Sequence, residues 1–176
     1  MIQRLLSLTL TIGMAAAFAQ SGAKPRISPP AKISVALGGS PVTIDYSRPS
    51  LRGRKAVGGT LVPYGQVWRT GANEATKLTT PVDLMIGDLR VPAGSYALFT
   101  LATADGWTLI VNKTADQWGA FNYDKAQDLG RVPMKMSKPD GTVEQFTMAF
   151  NKTGEKTATL TLTWENTTAS VEVSAK

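Results

Sequence analysis

The chain has 176 residues, with 19 Lys and Arg against 13 Asp and Glu, and contains neither histidine nor cysteine. Without histidine there is no Ser-His-Asp triad and no imidazole metal site, and without cysteine no thiol catalysis, zinc-thiolate centre or iron–sulfur cluster. Carboxylate, lysine and tyrosine remain for acid–base work. Any metal would be a hard, oxygen-liganded ion, and the scattered acids offer no EF-hand spacing, so no metal and no cofactor is expected.

Residues 1–19 read as a signal peptide. Arg4 supplies the positive start, Leu5 to Met14 is mostly apolar, and Ala17-Phe18-Ala19 gives the small-x-small cleavage pattern. The mature chain is expected to begin at Gln20 and to be exported, to the periplasm or beyond. The apolar run is shorter than the roughly 20 residues a spanning helix needs, and no later stretch resembles a membrane span. About 155 residues then remain, the size of one ordinary domain. With no disulfides available, packing must hold it together. In an exported protein the basic balance points away from nucleic acid and toward a small anion or an anionic envelope polymer. The other reading is that the charge only keeps the protein soluble.

Residues 20–31 are proline-bearing and predict an extended lead-in. From Ile33 the pattern alternates with period two. Ile33, Val35 and Leu37 share one face, Gly38-Gly39 turns, and Val42, Ile44 and Tyr46 resume. Tyr46 to Thr76 is the least strand-like long stretch, punctuated by glycine and proline, which favour a shaped loop. Beyond it Val82, Leu84 and Ile86 alternate, Gly87-Asp88 turns, and Leu89 to Val91 returns. Ser95 to Leu101 is apolar on both faces, the mark of a central, covered strand. Ala104-Asp105-Gly106 predicts a hairpin into Trp107 to Asn112. Ala115 to Gly130 reads as a short helix or a long loop. Val132 to Met136, Gln145 to Phe150, Thr157 to Trp164 and a short piece around Val171 and Val173 complete the strands. In the clearest of them Ala158, Leu160, Leu162 and Trp164 point inward and the four threonines outward.

Eight or more short strands with almost no helix predict an all-β fold: a single antiparallel β-sandwich over 32–176, jelly-roll-like, with a partly open barrel as the alternative.

The long loop is the candidate functional surface. Arg48, Arg52, Arg54 and Arg69 are suited to carboxylate or phosphate. Tyr64, Trp68 and, further on, Trp118 offer flat rings for a sugar face. Asn73 and Glu74 add polar and acidic groups, with Asp45 at the loop mouth. Three functions follow. One is a binding module for an anionic or carbohydrate ligand. Another is a histidine-free hydrolase or lyase using Glu74. The third is a structural protein of the envelope, whose arginines merely anchor the loop. A concave pocket with Glu74 and the arginines facing solvent would favour the first two, and Arg69 buried against Glu74 the third. Asn112, Asn151 and Asn166 each begin a glycosylation sequon, a pattern common by chance.

The wording of these segments resembles the domain-of-unknown-function 2911 family. The resemblance lies in Asp45-Tyr46-Ser47-Arg48-Pro49, Gly53-Arg54-Lys55 and Val62-Pro63-Tyr64-Gly65, and in the block Val67-Trp68-Arg69-Thr70-Gly71-Ala72-Asn73-Glu74-Ala75-Thr76. It continues in Pro92-Ala93-Gly94-Ser95-Tyr96-Ala97-Leu98-Phe99-Thr100, Asn112-Lys113 and Gln117-Trp118-Gly119-Ala120. It implies an exported bacterial single-domain protein with a β-rich fold, and no established activity or site residue to carry over.

Overall fold

Alternation of apolar and polar residues becomes twelve strands in the computed structural model, which describes residues 26–176. The expected signal peptide lies outside the described residues. In chain order the strands are β1 (Pro30–Leu37), β2 (Ser40–Ser47), β3 (Val67–Trp68), β4 (Thr76–Thr80), β5 (Leu84–Ile86) and β6 (Leu89–Val91), then β7 (Gly94–Ala102), β8 (Trp107–Asn112), β9 (Asp128–Ser137), β10 (Val143–Lys152), β11 (Thr157–Glu165) and β12 (Thr167–Ala175). Among the described residues there is no α-helix, only a 3-10 turn at Lys125–Gln127 capped by the Asp124 carboxylate.

The all-β, antiparallel expectation holds. One sheet runs β1-β2-β4-β7-β8-β9-β12-β11-β10 and curls until it is nearly closed and barrel-shaped, with β1 and β10 at its two ends lying against each other. The seam is bridged just beyond β2. Leu51 N donates to Glu144 O and Phe146 N to Pro49 O, both at 2.9 Å. Inside, Leu160, Leu162 and Trp164 of β11 face Ile44, Leu98 and Leu109 in one core, while the threonines of β11 stay on the outer face.

The outer face is not wholly bare. Ala97, Phe99 and Ile110 point outward from β7 and β8 and are buried with Ala75 in a second, smaller core. Segment 113–124 folds back over them, with Ala120 and Tyr123 packed on top. This is why β7 is apolar on both faces, as a covered strand should be. The stretch that read as helix or loop is therefore a flap on the sheet. Its base is locked by Asp128, whose Oδ2 accepts from Tyr123 Oη (2.7 Å) and Arg131 Nε (3.0 Å), and whose Oδ1 accepts from Asn112 Nδ2 (3.0 Å). Asn112 is fully buried, so its sequon is closed in the folded protein.

Strand β4 begins at the last residue of the long loop and fills the stretch before Val82, to which the sequence pattern assigned no strand. Thr76, Leu78 and Thr80 point in and Lys77 and Thr79 out, but threonine filled the inward positions where an apolar signal was sought. Thr76 Oγ1 is satisfied by donating to Thr70 O at 2.6 Å, which removes the penalty of burying it.

Candidate functional site

Segment 48–75 spans one end of the barrel, where β2 stops and β4 starts, and plugs it. Leu51, Ala56, Val57, Val62 and Trp68 drop into the main core. Glutamates on the opposite wall hold the plug by its backbone. Glu165 Oε2 accepts from Ala56 N (3.1 Å) and Val57 N (3.0 Å), and Glu144 Oε1 from Arg52 N (2.9 Å).

This placement redistributes the expected site. Trp68, expected on the ligand-facing surface, is corrected to a core residue. It is 7% exposed, stacked on Trp164 at 5.7 Å and edge-on to Phe146 at 5.0 Å. Arg48 is a seam residue, with Nε donating to Phe146 O (3.0 Å) and Nη2 to Thr147 Oγ1 (2.7 Å). Arg54 caps its own turn, donating to Leu51 O (2.9 Å) and Ser50 O (3.0 Å). Arg52 lies exposed on the plug, its Nη2 reaching Ile27 O at 3.4 Å. Tyr64 borders a separate hollow of about 370 Å³ with Trp107 and Lys138.

Asn73, Glu74, Arg69 and Trp118 do come together. The backbone there is contorted, with Thr70 (φ 55°) and Asn73 (φ 61°) left-handed and Gly71 at φ 154°. A side chain at Gly71 would place its Cβ 2.8 Å from Ser47 O, so only glycine fits. A β-branched residue at positive φ is strained, and such strain concentrates at functional turns. Asn73 Nδ2 donates to Ser28 O (3.1 Å) and Ser47 Oγ (3.2 Å), and Arg26 Nη1 meets Glu74 Oε2 at 2.6 Å. Together with Arg48 N, which donates to Pro29 O at 2.9 Å, they strap residues 26–29 against the barrel. Arg69 thus does not pair with Glu74. It donates to Asn73 O at 3.4 Å, and its guanidinium lies 5.8 Å from the Phe121 ring centre.

Between the strap and the flap lies a hollow of about 400 Å³, within the roughly 300–1,000 Å³ of small-molecule sites. Its apolar lining includes Pro30, Ala31, Ala75 and Ala115, and its charged lining Arg26, Asp45, Glu74, Lys77 and Asp116. The charges are matched: Arg26–Glu74 at 2.6 Å, Lys77–Asp116 at 2.7 Å, and Lys32–Asp45 at 3.2 Å on the neighbouring strand. Its wall is completed by Gln117, whose Nε2 donates to Thr114 O (2.8 Å) while its shielded Oε1 has no partner. Trp118 pairs with Glu74 in an antiparallel bridge. Directly opposed residues put their side chains on one face, so the indole, 55% exposed, stands on the same side as Glu74, which lines the hollow.

The hydrogen bond from Arg26, and then the Glu74 backbone, hold the Glu74 carboxyl below the usual carboxylate range. It stays ionised at neutral pH and has no proton to donate as a general acid. Among the described residues no cluster of three or more acids could hold a metal ion.

Arg26, Lys77 and Asp116 escaped the sequence reading. A strand boundary drawn at Ala75 would have set Lys77 outward beside Asp45, its register partner. Nothing local marks Arg26 or Asp116.

A family model described as "Protein of unknown function (DUF2911)" matches residues 28–173, and the chain belongs to that family. No curated protein and no solved structure matches it.

Proposed function

We propose that this family member is an exported, single-domain binding module that holds a carbohydrate in the hollow between strap and flap, with one sugar face on the Trp118 indole. The observation that carries the reading is the conjunction of a small-molecule-sized hollow with a half-exposed tryptophan bridged to Glu74 of its lining. Apolar floor atoms suit the C–H face of a pyranose, and the carboxylates of the lining suit its hydroxyls. A neutral sugar fits better than an anion, because both cations lining the hollow already meet carboxylates. Binding is favoured over hydrolysis, because Glu74 is committed to Arg26 and is held ionised.

The test is titration of the mature protein with neutral, N-acetylated and uronate oligosaccharides, read by calorimetry and tryptophan fluorescence. A neutral oligosaccharide should bind and perturb the emission, and Trp118→Ala should weaken it about tenfold. A folded protein that binds no sugar in the panel removes the reading. Export is tested separately by fractionating cells and sequencing the mature N-terminus, expected at Gln20.

A further inference from the structure

Four large hydrophobic side chains are exposed among the described residues: Ile27 (75%), Tyr64 (47%), Trp118 (55%) and Phe121 (79%). The chain places them far apart, but the fold gathers them at the plugged end. Ile27 is in the strap, where its carbonyl accepts from Arg52 and the next residue's from Asn73. Trp118 bridges Glu74, and Phe121 lies under Arg69. Gly119, left-handed at φ 65°, lets the flap turn between those two rings; a Cβ there would sit 3.2 Å from both Arg69 Nη1 and the Phe121 ring. Tyr64 projects from the plug itself. The opposite end of the barrel, at the 38–39, 87–88 and 153–156 turns, exposes no large hydrophobic side chain among the described residues.

Charge follows the same asymmetry. Arg52, Arg54 and Lys55 are exposed on the plug, and neither they nor Arg69 makes an ion pair among the described residues, whereas Arg26 and Lys77 do. Uncancelled cations among exposed tryptophan, phenylalanine and isoleucine form the pattern of an interfacial anchor: the apolar side chains enter the headgroup–acyl boundary while the cations stay with the phosphates.

We propose that the plugged end is a docking surface for an anionic lipid bilayer. Charge complementarity favours that occupant, since basic residues outnumber acidic ones, 19 to 13 over the full chain, and each Lys or Arg at an anionic surface is worth about 1 kcal/mol. The exposed Ile27 and Phe121 side chains add reversible insertion without a spanning segment, and no helix among the described residues is long and apolar enough to span. The module would then present its hollow sideways, beside the membrane plane.

The experiment is co-sedimentation of the mature protein with vesicles of phosphatidylcholine alone and of phosphatidylcholine mixed with phosphatidylglycerol, which gives the surface a negative potential. Binding is expected only to the anionic vesicles, falling at least about tenfold between low and high salt. The Ile27→Ser/Phe121→Ser pair and the Arg52→Gln/Lys55→Gln pair should each lower it about fivefold or more, with unchanged thermal melts and unchanged binding to any sugar found for the hollow. Because these four residues lie outside the hollow's lining, loss of vesicle binding with sugar binding intact separates the two readings. Failure of the folded protein to bind anionic vesicles overturns the proposal. So does binding that both pairs leave unchanged, equal binding to neutral vesicles, or binding confined to a soluble acidic polysaccharide.

Discussion

The plug (48–75) and the flap (113–124) are both irregular, both rich in polar and aromatic residues, and both cover a surface of the same sheet. They do opposite things with similar side chains. The plug turns Trp68 inward and directs Arg48 and Arg54 to backbone oxygens and a threonine hydroxyl. The flap buries only small residues and Tyr123 and leaves Trp118 and Phe121 outside. A ring inside a barrel mouth has core neighbours on every side. A ring on a flap has the sheet on one side and water on the other. Arginine and tryptophan in a glycine-rich loop therefore signify a closure as readily as a binding face, and the side chains' partners decide which.

That contrast can be broken in order of expected effect. Trp68→Ala should cost about 3–5 kcal/mol by denaturant unfolding, since it hollows the aromatic cluster beneath the plug; a loss below about 1 kcal/mol would mean the plug is not part of the core. Glu165→Ala strands two amide donors, Ala56 N and Val57 N, and should cost about 1–3 kcal/mol, with faster hydrogen exchange across the plug and none across the flap.

For the flap, Tyr123→Phe removes the phenol that links Asp128 and Arg131 and should cost about 1 kcal/mol. The Tyr123 pKa is pushed up to about 12, first by burial and then by Asp128. The folded state thus holds that proton more tightly than the unfolded one. Its contribution is whole below about pH 10, the ordinary tyrosine value, and is lost as pH rises toward 12. Burial raises Tyr96 as well, so the check is that the last tyrosinate absorbance step of the wild type is absent from Tyr123→Phe.

The smallest effect belongs to Glu74→Gln, which should leave global stability unchanged because the Arg26 pair is exposed and screened. The carboxyl pKa is depressed in the fold, so its hold on the strap is present above the ordinary glutamate value, about 4.3, and is lost as pH falls below it. The Arg48 amide, which donates to Pro29 O, should shift in NMR spectra below about pH 4 in the wild type, and in Glu74→Gln should already be shifted at pH 7. An Arg48 amide identical in both proteins at both pH values would show that Glu74 does not fasten the strap.

Most strands were legible because alternation is local: Ala158, Leu160, Leu162 and Trp164 declare an inward face whatever they meet. The doubly apolar β7 even announced that something covers it, though not that the cover would be residues 113–124. Strand β4 was missed because its inward Thr76 and Thr80 are satisfied by hydroxyl bonds to distant or turn carbonyls, which no hydropathy pattern registers. The site was half legible. Glu74 lines the hollow, with Trp118 bridged to it and Asn73 fastening the strap beside it, whereas Trp68, Arg48 and Arg54 serve the closure.

By itself, then, the sequence determined an all-β antiparallel chain stabilised without sulfur, a histidine-free chemistry, and the stretches where regular structure yields to turns. Each of these is a property of composition or of near neighbours along the backbone. Tertiary structure alone decided that the sheet closes on itself, that one loop stoppers it, and that Arg26, Asp45, Glu74, Lys77 and Asp116 border one hollow. Those residues are brought together by strand pairing and by the strap, and the fate of a charge depends on which partner lies within about 3 Å in space rather than on its neighbours in the chain.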